Sequence, residues 1–95
     1  MVLVRTVFHA RQGKINQLVA GMKQATHDEL DRPLILTDLS GRTNTMVMEQ
    51  RHASLAAYEQ WRTELFRSEA FQAGQPSMEG MIESGSVEFY MIEQA

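Results

Sequence analysis

Three histidines, His9, His27 and His52, are the side chains of this sequence whose ordinary titration range brackets neutral pH. None belongs to an HxxH or HExxH pair, so the spacing that lets two imidazoles share a zinc ion on one helix is missing, and no metal is expected. Cysteine is absent, which excludes a thiolate nucleophile, a disulfide frame and a zinc–thiolate site. No glycine-rich phosphate loop and no Ser-His-Asp order is present. What remains are groups that could polarise a carbonyl or move a proton beside an apolar ligand: Arg5, His9, His52 and Tyr90. Tyr58 and Trp61, with some of the seven methionines, could wall a pocket for that ligand, since Met fills irregular space adaptably. His27 reads as a favourable charge at a helix C-terminus, and Glu29 with Asp31 as a solvated acidic turn.

These groups need a scaffold, and the hydrophobic periods describe one. Residues 2–9, VLVRTVFH, alternate as a strand rich in β-branched side chains, and Arg11-Gln12-Gly13 supplies a turn. Ile15, Leu18, Val19, Met22 and Ala25 then trace one stripe of a helix over 14–27, in which Gly21 suggests a close contact against the sheet. Residues 34–39 and 44–52 read as a hairpin about Ser40-Gly41-Arg42. Ser54 suits a helix N-cap, and the helix behind it should bury Leu55, Tyr58, Trp61 and Leu65. Ser68 could cap a further turn before Gly74-Gln75-Pro76 breaks the helix. Gly85 leads into a last strand over 86–93. The order β-α-β-β-α-β predicts an α+β, ferredoxin-like sandwich over residues 1–95, one domain with the first and third strands central. His9 and His52 are then expected at the C-terminal ends of parallel neighbours, on opposite faces.

Strand parity separates two faces. One collects Val2, Val4, Phe8, Met46, Met48, Val87, Phe89 and Met91 and should receive the helices. The other collects Arg5, Val7, Thr45, Val47, Glu49, Glu88, Tyr90 and Ile92, too apolar to stay in water alone. A homodimer pairing sheet to sheet, as an α/β barrel, would cover it. Arg5 would sit between Glu49 and Glu88, either as an ionic cluster that keeps the dimer in register or as the lining of a pocket that orients a ligand.

The opening VRTVFHARQGKINQLVAGMKQ resembles the start of NIPSNAP domains, where a strand Arg precedes a turn Gly and an amphipathic helix. Arg5 and Gly13 stand in those places, and Gln12 replaces the family's Pro. The middle, MEQRHASLAAYEQWRTELFRSEAFQ, is similar to the antibiotic-biosynthesis-monooxygenase type, with an acidic strand end, a capped helix and a Ser-x-x-Phe finish from Ser68 to Phe71. Both types belong to the dimeric α/β-barrel superfamily, so the resemblance implies ferredoxin-like monomers paired through their sheets. Haem-degrading relatives place a His in the second helix and an Asn in the first strand. Residues 55–75 contain no His, and the first strand offers Arg5, Thr6 and His9 instead, so neither haem nor another cofactor is expected.

With a formal net charge of -3 and no basic run, no nucleic-acid partner is expected. No apolar run approaches the ~20 residues of a membrane span, and a cytoplasmic address fits the lack of cysteine. Three functions stay open. The chain binds a small apolar or aromatic metabolite, with Arg5, His9, Glu49, His52, Tyr58, Trp61, Glu88 and Tyr90 as candidate contacts. It is a cofactor-independent monooxygenase or isomerase of an aromatic or polyketide-like substrate. Or it is a non-catalytic association module. A cavity beside Arg5 and Tyr90, or beneath Trp61, favours the first two.

Overall fold

Alternation of β-branched and polar residues makes β1 (Val2–Ala10) a strand with two distinct faces, in a computed structural model that describes residues 1–27 and 32–95. Gly13, at φ +80°, turns the chain into α1 (Ile15–Ala25), which buries Leu18 and Met22. The helix stops two residues before its pattern suggests, and at its end the Thr26 hydroxyl donates back to the Met22 carbonyl at 2.9 Å. The acidic turn expected at Glu29 and Asp31 lies outside the described residues. β2 (Leu34–Thr37) and β3 (Thr45–His52) form the hairpin; Asp38 ends it by accepting the Thr45 amide at 2.9 Å.

Ser54 caps α2 (Leu55–Arg67) by accepting the Ala57 amide at 3.1 Å, as its position predicts. Leu55, expected inside, is exposed; of the expected stripe Tyr58 is the buried member. Ser68 then serves two helices. Its hydroxyl donates to the Leu65 carbonyl at 2.7 Å, closing α2, and accepts the Phe71 amide at 3.2 Å, opening α3 (Glu69–Met81). The expected break at Gly74-Gln75-Pro76 does not occur. Pro76 lacks the N–H that would reach the Gln72 carbonyl, but both residues are exposed, so water can serve that carbonyl while Met78 and Met81 against the core, and Phe71 against Phe66 of α2, hold the helix down.

β4 (Ile82–Met91) follows α3 without a loop, starting four residues earlier than its sequence pattern indicates. Gly85 belongs inside the strand, opposite Phe8, where a Cβ would stand 3.0 Å from the Val7 carbonyl oxygen. Gly21, by contrast, has no atom within 4 Å of where a Cβ would be, so no close contact against the sheet explains it.

The sheet order is β2-β3-β1-β4, with every pair antiparallel and the helices on one face: the ferredoxin-like α+β arrangement. The α1 crossover returns β2 parallel to β1, and the hairpin then forces β3, which lies between them, to run the other way. His9 therefore faces Thr45 while His52 faces Val2, at opposite ends of the β1–β3 pair rather than together at one end. Their opposite faces are as expected. The core gathers Val4 and Met46, both wholly buried, with Ala10, Leu18, Met22 and Met48. Among the described residues no helix is long and apolar enough to cross a membrane.

Candidate functional site

The eight candidate side chains divide between the two sides of the sheet. On the helix-free side, the register sets Arg5 of β1 directly between Glu49 of β3 and Glu88 of β4. Arg5 Nε lies 2.7 Å from Glu49 Oε2, and its Nη1 lies 3.7 Å from Glu88 Oε1. The Tyr90 hydroxyl donates to the same Glu88 oxygen at 3.0 Å, and the Arg5 guanidinium stands 5.2 Å from the Tyr90 ring centre. Bonding to Glu49 raises the Arg5 pKa further above its ordinary value; donation to Glu88 raises that of the Tyr90 phenol. The four groups engage one another, as a register-keeping cluster would.

His9 lies on the same side, towards the far end. Its Nδ1 is 3.2 Å from Thr45 Oγ1, and that hydroxyl donates its proton to the Arg42 carbonyl at 2.8 Å. Towards His9 the hydroxyl can then only accept, so Nδ1 carries the imidazole proton and Nε2 is the second nitrogen. His27 is exposed beyond the end of α1. Among the described residues no three His, Asp or Glu side chains converge as a metal site.

A shallow depression of about 550 Å³ lies beside Arg5 and Tyr90, and the helical side holds a more apolar cavity. A cleft of about 460 Å³ opens between the sheet, α2 and α3. Tyr58, Trp61, Leu65 and Phe66 of α2 form one wall, Phe71 and Met78 of α3 the other, with Met22, Met48 and Phe8 beneath. Thr6, Ile82 and Val87 complete the sheet surface, and Arg62 and Glu79 supply the charge. The rings are in mutual contact: Tyr58 and Trp61 centres lie 6.0 Å apart, and Phe66 stacks on Phe71 at 4.8 Å. Arg62 lies over the Phe66 ring at 4.4 Å. His52 packs its ring edge-on against Tyr58 at 5.4 Å and tilted against Trp61 at 5.7 Å, yet it does not line the cleft.

Tyr58 and Trp61 are thus placed beside a cavity; Arg5, Glu49, Glu88, Tyr90 and His9 lie across the sheet from it. Sequence reasoning missed Arg62, Phe66, Phe71 and Glu79. The signal was present in the i, i+4 steps from Tyr58 to Arg62 to Phe66, but without α3 there was no second wall for them to face.

No protein-family model matches the chain. No curated protein matches it significantly either. Solved structures do. An uncharacterized NIPSNAP domain protein from Burkholderia xenovorans superposes with a TM-score of 0.81 at 18% identity, covering 96% of this chain and 93% of that one. The chain shares the fold of that protein. A second NIPSNAP family protein, from Agrobacterium tumefaciens, gives 0.83 at 17% identity over 95% of this chain and 83% of its own. A putative antibiotic biosynthesis monooxygenase from Bacteroides thetaiotaomicron has the same fold, at a TM-score of 0.75 and 11% identity over 98% of this chain and 90% of that one. Identities this low establish the fold; what the chain does depends on its own site.

Proposed function

We propose that this protein binds a small apolar or aromatic metabolite in the cleft beneath Trp61. The observation that carries this is the cleft itself: about 460 Å³, walled by aromatic rings and methionines, in the size range of small-molecule sites. No imidazole lines it, since His52 stands behind Tyr58 and Trp61 and His9 lies across the sheet, so the geometry favours binding over the proton transfer of an oxygenase or isomerase. Trp61 is the one Trp of the chain, which makes its indole N–H resonance self-assigned. Titration with 2-naphthalenemethanol should shift that resonance saturably, and Met78→Phe, which adds bulk to the cleft from α3 without adding a second indole, should weaken or abolish the shift. An indole resonance that stays fixed at millimolar ligand sinks the proposal.

Two copies pair, on the same proposal, through the helix-free side of the sheet. Val7, Val47 and Ile92 are half-buried there and Tyr90 is 44% exposed, with no helix above them. Sedimentation should find a dimer at micromolar concentration, and Val47→Glu should dissociate it by setting an unpaired charge into the interface. A folded dimer of that variant would count against pairing through this side.

A further inference from the structure

We infer that the cleft selects an amphiphilic monocarboxylate, its apolar body inside and its carboxylate paired with Arg62 at the mouth. This rests on the binding proposal and adds the chemical class of the ligand.

The cleft interior is almost wholly apolar, and a carboxylate placed there would lose its water without regaining hydrogen bonds. Any charge on the ligand must therefore stay at the rim, where Arg62 and Glu79 are the charged lining residues. Arg62 is held there: its guanidinium rests 4.4 Å over the Phe66 ring, and that ring is in turn stacked on Phe71 across the α2–α3 junction. A guanidinium lying on a ring face keeps the N–H donors along its edge available for a planar acceptor, which is the geometry a carboxylate matches. The contrast with the other paired arginines is direct. Arg5 has Glu49 and Glu88, and Arg42 has Glu83 at 3.7 Å, whereas Arg62 forms no ion pair or hydrogen bond among the described residues. Glu79 is already engaged within the protein, so it is the weaker anchor for an amine. Its negative charge also disfavours a second anionic group on the ligand, which narrows the class to a monoanion.

Three probes with one naphthalene body test this by calorimetry and by the Trp61 indole resonance: 2-naphthoate, 2-naphthalenemethanol and 2-naphthylmethylamine. The acid should bind tighter than the alcohol by about fivefold to tenfold, the range of a partly exposed charge-assisted pair, and the amine weakest. Arg62→Met should abolish the preference, bringing the acid to the level of the alcohol measured in the same variant. Arg67→Met, the same charge change one turn beyond Arg62 and away from the cleft, should preserve the preference. Added salt should shrink the advantage of the acid. Equal binding of acid and alcohol overturns the assignment while leaving the cleft as the binding site; so does an acid preference that survives Arg62→Met, or tightest binding by the amine. Failure of all three probes to bind overturns both.

Discussion

Replacing Gly85 with Ala should destabilise the protein, although glycine in a strand is ordinarily a weakness that Ala would cure by about 0.5–1 kcal/mol. The new methyl carbon would sit 3.0 Å from the Val7 carbonyl oxygen and 3.5 Å from Phe8 Cδ1. The phenyl ring can give way at its edge. The carbonyl cannot, because it belongs to β1, held on both sides by β3 and β4. Forcing a carbon into such a place costs about 1–3 kcal/mol, which set against the propensity gain leaves a net loss of up to roughly 2.5 kcal/mol. In a domain this size each kcal/mol moves the melting temperature by about 4–8 °C. Gly21→Ala is the matched control, for nothing lies within 4 Å of its added methyl and its helix should gain about 0.5–1 kcal/mol. Urea titrations and thermal melts by circular dichroism, at one fixed protein concentration because association adds to apparent stability, would read both. Shifts of the same sign in the two variants, or a Gly85→Ala melt at or above that of the parent, refute the reasoning.

Alkali supplies a second test. The Tyr90 phenol holds its proton more tightly in the folded protein than its ordinary value of 10.0 allows, mainly through donation to Glu88. The stability this contributes is complete below pH 10.0 and is lost as pH climbs through the raised value, so Tyr90→Phe should flatten the fall in stability above pH 10.0 and remove a late component from the absorbance titration at the phenolate band. Ser68→Ala removes the side chain that closes α2 and opens α3 and should cost about 1 kcal/mol in denaturant titration, with loss of cleft binding if α3 frays. Leu18→Ala, at a side chain 1% exposed, should cost about 2–5 kcal/mol in the same assay.

Strand parity carried most of the fold. The alternation in residues 2–9 and 44–52 assigned the faces and the central pair, and through them the neighbours of Arg5, because a strand has no freedom to place i and i+1 on one side. Direction did not follow from parity: the relative sense of β1 and β3 depends on counting reversals through α1 and the hairpin, and the two histidines were set at one end where the count puts them at two. Local punctuation misled at Pro76 and Gly85. Proline and glycine report what the isolated backbone prefers, whereas α3 is held by Phe71, Met78 and Met81, and Gly85 is fixed by a carbonyl from a strand nearly eighty positions away. The cleft was half legible for the same reason, since Tyr58 and Trp61 announce one wall and the other belongs to a helix whose local signals deny it.

The place of β1 in the sheet also sets the order in which this chain can fold. Its residue Val2 pairs with His52 on one side and Met91 on the other. β1 is thus a central strand that is synthesised before β4 and whose second edge has no partner until β4 emerges. Contacts so distant along the chain slow the search for the native state, and an open edge meanwhile invites pairing with other chains. Shortened nascent chains lacking β4 should accordingly be aggregation-prone intermediates rather than smaller folded units.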